Sequence, residues 1–579
     1  MRWVALACYA LFWVSPTHAL EVAVKLTPEA PEALQTLLTR HLEITRAADT
    51  DEVFDADEVT RLRHQSEQTA HELLATEGYF SPLISSTQTG TQPDAVVEYR
   101  IDPGPRTTIS QVALTFTGAL QSAPVNSNLR GRIERDFALK QGMPFRQADW
   151  DAAKRGMLQP LLAGAYLAAH ISDSQARIDP QKHSAALSLT LDSGPRFLYG
   201  DIEISGNQRY PVSIIRNMSP LQSGRPIRQQ DMLDYQIALE ASGYYNQAAV
   251  RIDSDPAQAA AAPIRVEVVE RPEKLFSLGA GISTDTGPRV QLGWLTRNLA
   301  DRGLRLKLDG RIEQNSQLGA TELAWPRSSS GYENSLGLQL KNEDIEGQDT
   351  RSSLFAAKRS RTRGEIETTL SIQYQTETQA IGNVIAAGNQ ALTLNYAWTQ
   401  RKLRRAFYPR SGHVLSLNIG GASDALLSDT SFLRLYGRHT QYFPIGKEGR
   451  LILRGELGSV LADGKEGIPT DFLFRAGGDN SIRGYAYQSL GRSLSGGVES
   501  VRYLATGSAE YHYFFNREWG MAVFVDVGDA ADSPASLSPV FGYGLGARYR
   551  SPVGPINLDL AYGDETEKIR LHFSLGVGF

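Results

Sequence analysis

Polar and apolar residues alternate along the second half of the chain, from about residue 275 onward. The last segment shows this best, because its odd positions are apolar and its even positions polar or small: Ile569, Leu571, Phe573, Leu575, Val577 and Phe579 against Lys568, Arg570, His572, Ser574, Gly576 and Gly578. Segments 501–515 and 521–528 alternate in the same way. A period of two is typical of strands with one apolar face. The pattern predicts an antiparallel β-barrel with its apolar face towards lipid and its polar face towards the lumen.

Three aromatic–proline sequences punctuate these strands: Trp325-Pro-Arg327, Tyr408-Pro-Arg410 and Phe443-Pro-Ile445. An aromatic residue at a strand end, followed by a proline turn, fits the interfacial girdle and the short turns of a membrane barrel. About 300 residues, at roughly 18–20 for each strand and turn, predict about 16 strands. A soluble β-sandwich with its apolar face inward is the alternative that the alternation alone leaves open.

The first half of the chain contains one unit three times. Two sequences recur, Asp102-Pro-Gly-Pro-Arg106 as Asp192-Ser-Gly-Pro-Arg196 and Gly142-Met-Pro-Phe-Arg-Gln-Ala-Asp149 as Gly224-Arg-Pro-Ile-Arg-Gln-Gln-Asp231. We expect Asp149 and Asp231 to cap the helices that follow. These helices, and an earlier one over Val59–Thr76, end at similar sequences where glycine is expected to supply a left-handed stop: Glu77-Gly-Tyr79, Gly164-Ala-Tyr166 and Ser242-Gly-Tyr244.

Each unit is predicted as a strand, a short helix, a longer helix and two strands, which makes a small α+β module of roughly 80–90 residues. The predicted boundaries are 20–103, 104–193 and 194–272 for the modules and 273–579 for the barrel. A small sheet with helices on one face leaves a strand edge that another chain can extend. The modules are therefore either docking sites for a partner or spacers.

Targeting and composition indicate an exported protein. Residues 1–19 combine a basic residue, an apolar run and a small-residue cleavage site, and so predict a secretory signal peptide. The one cysteine of the sequence, Cys8, lies within it, so we expect the mature chain to rely on its cores rather than on disulfides. No later stretch is long and apolar enough for a transmembrane helix. A net charge of −5 gives no indication of nucleic-acid binding.

A glycine-rich loop, Arg475-Ala-Gly-Gly-Asp-Asn-Ser-Ile-Arg-Gly-Tyr485, interrupts the predicted strands. It has neither helical nor strand periodicity, yet it carries two arginines and an aromatic residue. Such a loop either projects outside the barrel or folds into its lumen. Glu510 and Asp526 lie on strands whose alternation points them inward, where Arg483 could reach them. We therefore expect a loop that plugs the lumen.

These segments resemble the Omp85 superfamily. The loop residues Ser481, Ile482, Arg483, Gly484 and Tyr485 are similar to that family's VRGF/Y motif. Phe524, Asp526 and Gly528 resemble its F-x-D-x-G strand motif, and the closing strand ending in Phe579 resembles its insertion signal. The repeat modules resemble its POTRA domains. The resemblance implies that Arg483 contacts Asp526 and Glu510 from within the lumen, a bridge that a planar guanidinium makes and lysine does not reproduce.

The resemblance also implies a location and a function. It places the barrel in the outer membrane of a Gram-negative bacterium and the modules in the periplasm. It implies insertion or secretion of outer-membrane β-proteins, particularly autotransporter-type proteins, without catalysis or a cofactor. Three modules, rather than five or two, are most similar to the translocation-and-assembly-module branch of the family. That branch implies a TamB-like, inner-membrane-anchored partner, with outer-membrane lipid as a further contact.

Glycines mark the two strands that would close the barrel. Gly279 and Gly281 lie in the first of them, predicted over Leu275–Asp285, and Gly576 and Gly578 lie in the last. Glycine weakens strand pairing and permits a kink. The glycines therefore predict a seam that can open sideways, although small residues that only relieve crowding in the lumen would give the same pattern.

Other functions have less support in the sequence. No Gly-x-Ser-x-Gly elbow is present, and Ser508 and His512, which share an inward face with Glu510, are ~13 Å apart on an extended strand. Gly542-Tyr-Gly-Leu-Gly546 lies in an alternating strand with no helix after it, so it is no nucleotide loop, and no metal-ligand spacing is found. A two-partner-type secretion pore and a passive porin or lipid-transport channel remain alternatives. The repeats argue against the porin.

Overall fold

The computed structural model describes residues 20–27, 30–50, 54–90, 95–122, 127–382, 384–385, 388–403, 408–551 and 554–575. The predicted signal peptide, residues 1–19, lies outside them, as do Gly576, Gly578 and Phe579 of the closing strand. Within the described part of the chain, none of the helices combines the length and the apolar composition that crossing a membrane requires.

The first half of the chain consists of three small α+β modules. The first contains β1 Glu21–Leu26, α1 Glu32–His41, α2 Glu43–Ala48, α3 Ala56–Thr76, β2 Leu83–Thr89 and β3 Val96–Asp102. The second contains β4 Thr108–Thr117, α4 Ala119–Ser122, α5 Ser127–Asp136, α6 Gln147–Leu162, β5 His170–Asp179 and β6 Ser184–Asp192. The third contains β7 Tyr199–Ser205, α7 Val212–Met218, α8 Gln229–Ala241, β8 Tyr245–Ile252 and β9 Ala262–Glu270.

Each module has a three-stranded sheet whose last strand lies in the centre. The orders are β1-β3-β2, β4-β6-β5 and β7-β9-β8, so two strands in each sheet are edges. Alternate residues of the central strand β6 are fully buried under the helices, which is the pattern expected of a sheet covered on one face. The predicted α+β fold class is confirmed.

Two local expectations for the modules are wrong. Asp149 and Asp231 lie inside the first turns of α6 and α8, and do not cap them; Arg146 occupies the position before α6 without a side-chain cap. In a first turn a carboxylate favours the helix dipole instead. Gly78 and Gly243 follow their helices with positive φ, whereas Gly164, which follows α6, does not have positive φ.

A backbone carbonyl just past each long helix accepts a hydrogen bond from the segment that follows in the chain. The Thr107 amide donates to the Gly78 carbonyl at 2.9 Å, and the Phe197 amide donates to the Ala165 carbonyl at 2.7 Å. The first of these joints also has a two-pronged ion pair, in which Arg146 donates to Glu77 at 2.8 and 3.0 Å. Hydrogen bonds to the main chain therefore recur at successive joints.

The second half forms one antiparallel sheet. Its strands are β10 Lys274–Ser283, β11 Gly287–Leu299, β12 Leu304–Glu313, β13 Ser316–Ala324, β14 Tyr332–Ile345, β15 Gln348–Arg363, β16 Ile366–Ile381, β17 Val384–Ile385, β18 Asn389–Leu403, β19 Gly412–Ala422, β20 Phe432–Ile445 and β21 Gly449–Leu461. A separate hairpin follows, β22 Arg492–Leu494 and β23 Gly497–Glu499, and then β24 Tyr503–Phe514, β25 Trp519–Ala531, β26 Val540–Ser551, β27 Gly554–Gly563 and β28 Lys568–Leu575.

Strands β10 to β28 pair in chain order without the hairpin, as a nearly closed barrel. Sixteen of them are long and β17 has two residues, so the prediction of about 16 strands is confirmed. The alternation separates outward-facing from inward-facing residues, as predicted. Val523 and Val525 of β25 are about half exposed on the outer wall, whereas Phe524 and Asp526 between them are buried.

Only one of the three aromatic–proline sequences lies elsewhere than predicted. Phe443-Pro-Ile445 belongs to the end of β20, and the turn is formed by residues 446–448. Pro444 pairs with Arg450 of β21, but it lies beyond Tyr442, the last residue of β20 that pairs with β19. Proline is tolerated there because an edge lacks the ladder bond that its missing N–H would have made.

Most of the third module's helical face belongs to the same compact unit as the barrel, which contains Ile204–Pro220, Tyr235–Val250 and Val266–Phe579. The connection is made by the end of β11 and the turn after it. Buried Arg297 donates to the Gly243 carbonyl at 2.7 Å and to the Pro272 carbonyl at 2.8 Å. The Tyr244 hydroxyl donates to the Gly303 carbonyl at 2.6 Å, and burial raises the pKa of Tyr244 to about 12. This elbow fixes the end of α8 to the barrel.

Candidate functional site

The long connection between β21 and β24, residues 462–502, lies against inward-facing side chains of the barrel wall. Its motif residues Ile482, Arg483 and Tyr485 are 0, 3 and 2% exposed. Ile482 and Tyr485 belong to an apolar cluster that the loop shares with the wall, which also includes Phe472 and Phe474. The predicted loop is therefore a packed element whose apolar core is shared with the barrel wall.

Arg483 makes its main contact with Asp526 of β25. Its Nε and Nη2 donate to the two carboxylate oxygens at 2.8 and 3.0 Å, and its backbone N–H donates to Oδ2 at 3.1 Å. Its guanidinium also lies 3.4 Å from the centre of the Phe524 ring. The arrangement joins a bidentate ion pair, a main-chain bond and a cation–π contact, all out of contact with solvent.

Two further carboxylates meet the same guanidinium. Nη1 of Arg483 lies 2.9 Å from Glu510 of β24 and 3.2 Å from Asp559 of β27. A second arginine, Arg548 of β26, donates to Glu510 at 2.7 Å and to Asp559. Three carboxylates therefore share two arginines, and each arginine bridges at least two acids.

Histidine completes this network. His512 Nε2 contacts Glu510, and Arg450 donates to His512 Nδ1 at 2.9 Å. Because Nδ1 accepts that bond, Nε2 carries the proton that is given to Glu510. Both ring nitrogens are thus used within the network.

Glycines let the loop approach the wall closely. A Cβ built at Gly542 of β26 would lie 1.8 Å from the Arg483 carbonyl oxygen, and one at Gly546 would lie 1.7 Å from Asp559. At Gly544 it would lie 2.7 Å from the Phe524 ring. Gly528, the last motif glycine, has φ +155° and a Cβ there would lie 2.3 Å from the Ala505 carbonyl. On the inward face of β26, Gly542 therefore makes room for the loop backbone, and Gly544 and Gly546 make room for the wall side chains of Phe524 and Asp559.

The loop motif is also held at its other residues. Ser481 donates its amide to the Gly478 carbonyl at 3.2 Å, within the turn. Gly484 donates its amide to His572 Nε2 of β28 at 2.9 Å. The Tyr485 hydroxyl donates to Asp564, beyond β27, at 2.8 Å.

The opposite end of the loop is anchored on different strands. Asp471 forms an ion pair with Lys341 of β14 at 2.6 Å, and the Thr470 hydroxyl donates to Glu377 of β16 at 2.7 Å. The loop therefore connects the β14–β16 wall with the β25–β28 wall through the lumen.

The first and last strands stand at the two ends of the sheet order. Among the described residues no ladder joins β10 to β28, and the bonds found are local: the Thr284 amide to the Phe573 carbonyl at 3.4 Å, and the Phe573 amide to the Thr284 hydroxyl at 3.0 Å. Gly279 and Gly281 do not interrupt β10, because both pair with β11. The weaker pairing that these glycines predict on the seam side of β10 stays a prediction.

The lumen loop touches both sides of this seam. Asp479 of the loop accepts a hydrogen bond from His572 Nδ1 of β28 at 2.6 Å, and its backbone N–H donates to Asp285, just after β10, at 3.1 Å. Asp285, Asp479 and His572 lie close enough together for a metal ion. The His572 ring does not fit that use, because Nε2 already accepts the Gly484 amide and Nδ1 therefore carries the proton given to Asp479.

Several residues of the site were not found from the sequence: Asp559, Arg548, His572, Asp479 and the three glycines of β26. The alternation does place Asp559 and His572 on the polar face of their strands. It does not give the register between strands, which decides which inward residues meet. The glycines were available as a signal, since three alternate glycines on an inward face indicate a close approach of other backbone.

Comparison with known proteins identifies the family. Residues 276–579 match the Omp85 superfamily domain, and residues 197–271 match POTRA, the surface antigen variable number repeat. The chain belongs to the Omp85 superfamily. It is an outer-membrane β-barrel with periplasmic POTRA modules, in a family of assembly and transport factors, so the predicted superfamily and location are confirmed.

Two curated relatives illustrate the range of this family. The chain is 21% identical to the outer membrane protein assembly factor BamA of Neisseria meningitidis serogroup B, over 87% of this chain and 71% of that protein. It is 34% identical over 108 residues to the chloroplastic outer envelope protein 80 of Arabidopsis thaliana, which covers 18% of this chain and 14% of the relative.

A solved structure shows the same fold. BamA from Haemophilus ducreyi lacking POTRA domains 1–3 superposes with a TM-score of 0.65 at 17% identity, over 82% of this Omp85 protein and all of that chain.

Proposed function

We propose that this Omp85 protein is an insertase or translocase of the TamA type, which assists the assembly or secretion of β-barrel and autotransporter-type proteins without catalysing a covalent step. In this proposal the modules span residues 20–103, 104–193 and 194–272 and receive a TamB-like partner anchored in the inner membrane. The observation that carries the proposal is the seam, where β10 and β28 share local bonds but no ladder in the described residues.

An incomplete seam matters because of its setting. Unpaired backbone N–H and C=O groups in lipid cost several kcal/mol each, so a barrel that only conducts has every reason to close completely. An opened seam would offer the two edges, β10 and β28, to an incoming strand, which could pair with them by strand addition. Growth of a new β-protein from these edges would then satisfy the groups that opening exposes.

In this proposal the lumen loop holds the two sides of the seam together. Asp479 holds His572 on one side and Asp285 on the other, and Arg483 fixes the same loop to β24, β25 and β27. Separation of β10 from β28 would have to break at least one of the two Asp479 contacts. The loop would therefore couple the state of the lumen to the state of the seam.

A reversible lock tests the seam. Cysteines at Thr284 and Phe573, in a background where Cys8 is serine, replace two residues that share a backbone hydrogen bond across the seam, and a disulfide between them would hold the two edges together. Oxidation should abolish assembly of a substrate autotransporter, and reduction should restore it. A pair at Leu338 and Phe355, neighbours across the complete β14–β15 ladder, is the control. Undiminished activity with the seam bond fully formed would contradict the proposal.

The strand edges of the modules are the proposed partner site. In β2, an edge strand, Leu83 is 73% exposed, which leaves an apolar residue and a row of backbone groups for strand addition. A photo-crosslinking residue at Leu83 should give an adduct with a large inner-membrane-anchored protein in cells. The same residue at Arg61 on the exposed face of α3 should give none, and equal adducts at both positions would argue for a spacer.

Catalysis has no support from the arrangement of side chains around Ser508. His512 gives its two nitrogens to Glu510 and Arg450, which leaves no base for a serine nucleophile. A passive porin and a two-partner secretion pore are the competing functions. Single-channel conductance separates the porin, because a porin shows a large and steady open state while a loop-filled lumen should conduct little.

A further inference from the structure

The outer wall carries a row of arginines at the module side of the membrane. The strand registers place Arg359, Arg361 and Arg363 of β15 on the same outward face as Phe355 and Ala357. β15 ends on the side where the third module contacts the turn after β11, because alternate strands of an antiparallel sheet end on the same side. The three arginines therefore lie at the level of the periplasmic headgroups.

These outward arginines differ from nearby inward-facing arginines, because the inward-facing ones form ion pairs with carboxylates. Arg305 and Arg401, on inward faces near the same rim, are paired with Glu333 at 2.6 Å and Glu367 at 2.5 Å. In the described part of the chain, Arg359, Arg361 and Arg363 form no ion pair with a carboxylate. Two of them contact neutral groups: Arg359 donates to Asn334 at 2.9 Å, and Arg361 lies 4.8 Å from the Tyr332 ring centre.

An apolar groove lies directly above the row. Ala357 is small, while its neighbours across the ladder, Leu336 and Ile372, are large, so the wall is indented between them. The resulting groove has a volume of about 450 Å³. The rest of its lining is apolar Trp325 and Leu370, polar Asn334, Ser335 and Ser371, and the cations Lys358 and Arg359, so the apolar trough is bordered by positive charge.

We propose that this groove and the arginine row bind one anionic phospholipid of the periplasmic leaflet. The phosphate diester would lie between Arg359 and Arg361, whose planar donors match phosphate oxygens, and Arg363 would add charge nearer the water. One acyl chain would lie in the groove over Ala357. The charge of the row and the apolar continuity of the trough favour a lipid over a soluble anion.

The test uses native mass spectrometry of the delipidated full-length protein in detergent, offered equal amounts of palmitoyl-oleoyl phosphatidylglycerol and phosphatidylcholine. The wild type should retain one phosphatidylglycerol at least about tenfold better than phosphatidylcholine. The variant R359Q/R361Q/R363Q should lose this preference, because each arginine near a membrane surface contributes attraction to anionic lipid. Arg351→Gln should keep it; Arg351 lies on the same outward face at the other end of β15.

Two further arms define the ligand. Ala357→Phe, which fills the groove and leaves the arginines, should reduce phosphatidylglycerol retention about tenfold. Glycerol 1-phosphate in excess should not displace the lipid, and displacement would overturn the proposal in favour of a simple phosphate site. Equal retention of both lipids by the wild type, or unchanged retention by the triple variant, would also overturn it. Heat-modifiable gel mobility confirms that each variant has a folded barrel.

Discussion

Replacement of Arg483 by alanine is the most informative perturbation of the lumen site, because the structure shows which partner is left alone. Glu510 and Asp559 keep Arg548. Asp526 has 0% exposure and loses both guanidinium bonds, so it keeps only the amide of residue 483 among the bonds it makes with this loop.

The magnitude follows from this count. Three carboxylates that are bonded to two arginines are left with one, and fully buried Asp526 loses the guanidinium to which it is bonded. Removing one partner of a buried ion pair costs about 3–5 kcal/mol. At about 1.4 kcal/mol for each factor of ten, the undocked state of the loop should become roughly a hundred to several thousand times more populated. The barrel itself should stay inserted, because its ladders do not involve this side chain.

Hydrogen exchange of the loop in detergent measures this opening directly. The amides of Arg483 and Gly484 are bonded to Asp526 and His572, so their exchange requires undocking. In Arg483→Ala, a peptide covering 478–486 should exchange at least about a hundredfold faster than in the wild type.

Two controls accompany the measurement. Arg492→Ala removes an exposed arginine of the same connection and should leave exchange unchanged. The double variant R483A/D526A leaves no orphaned carboxylate and should recover much of the protection, since removing both partners of a buried pair costs far less than removing one. Exchange within about threefold of wild type for Arg483→Ala, or no recovery in the double variant, would refute the clamp.

The remaining predictions concern space and the elbow. Gly542→Ala should undock the loop without any change of charge, because its Cβ has no room beside the Arg483 carbonyl; accelerated exchange of peptide 478–486 checks this, and Gly310→Ala, with open space around it, should have no effect. Arg297→Ala should loosen the third module, because two carbonyls lose charge-assisted bonds of about 1.5–3 kcal/mol each. Limited proteolysis near residue 272 should then accelerate, whereas Arg302→Ala in the exposed turn should not change it; equal cleavage of both would contradict the elbow.

The barrel was well predicted from the sequence because the alternation of apolar and polar residues that defines one strand also holds for every other strand of the barrel. Alternation must hold in every strand of a membrane barrel, so Val523 to Asp526 could be assigned to outer and inner faces one residue at a time. The strand number followed from length alone. The modules were also predictable, because a repeated sequence repeats its fold.

The site was predicted less completely. Parity and family resemblance together placed Arg483, Glu510 and Asp526 in one neighbourhood, where the structure brings them within ion-pair distance. The contacts of Asp559 and Arg548 depend on the register between β26 and β27 and on the depth to which the loop enters the lumen. Neither can be deduced from the sequence of one strand. Pro444 shows the converse, since a proline predicted as a turn was accommodated at a strand edge.

The repeated joints have a consequence for how such proteins change over time. Gly78 offers its carbonyl to Thr107, Ala165 offers its carbonyl to Phe197, and Gly243 offers its carbonyl to Arg297 of the barrel. Each acceptor is a main-chain carbonyl oxygen, so almost any substitution of the side chain at that position leaves the acceptor in place. A duplicated module would therefore bring both the carbonyl acceptor and the donor that a joint needs. After the deletion of a module, the two neighbouring segments would still carry a matching donor and acceptor. Gene duplication or deletion could therefore change the number of periplasmic modules, and selection could act on that number, without any change in the barrel.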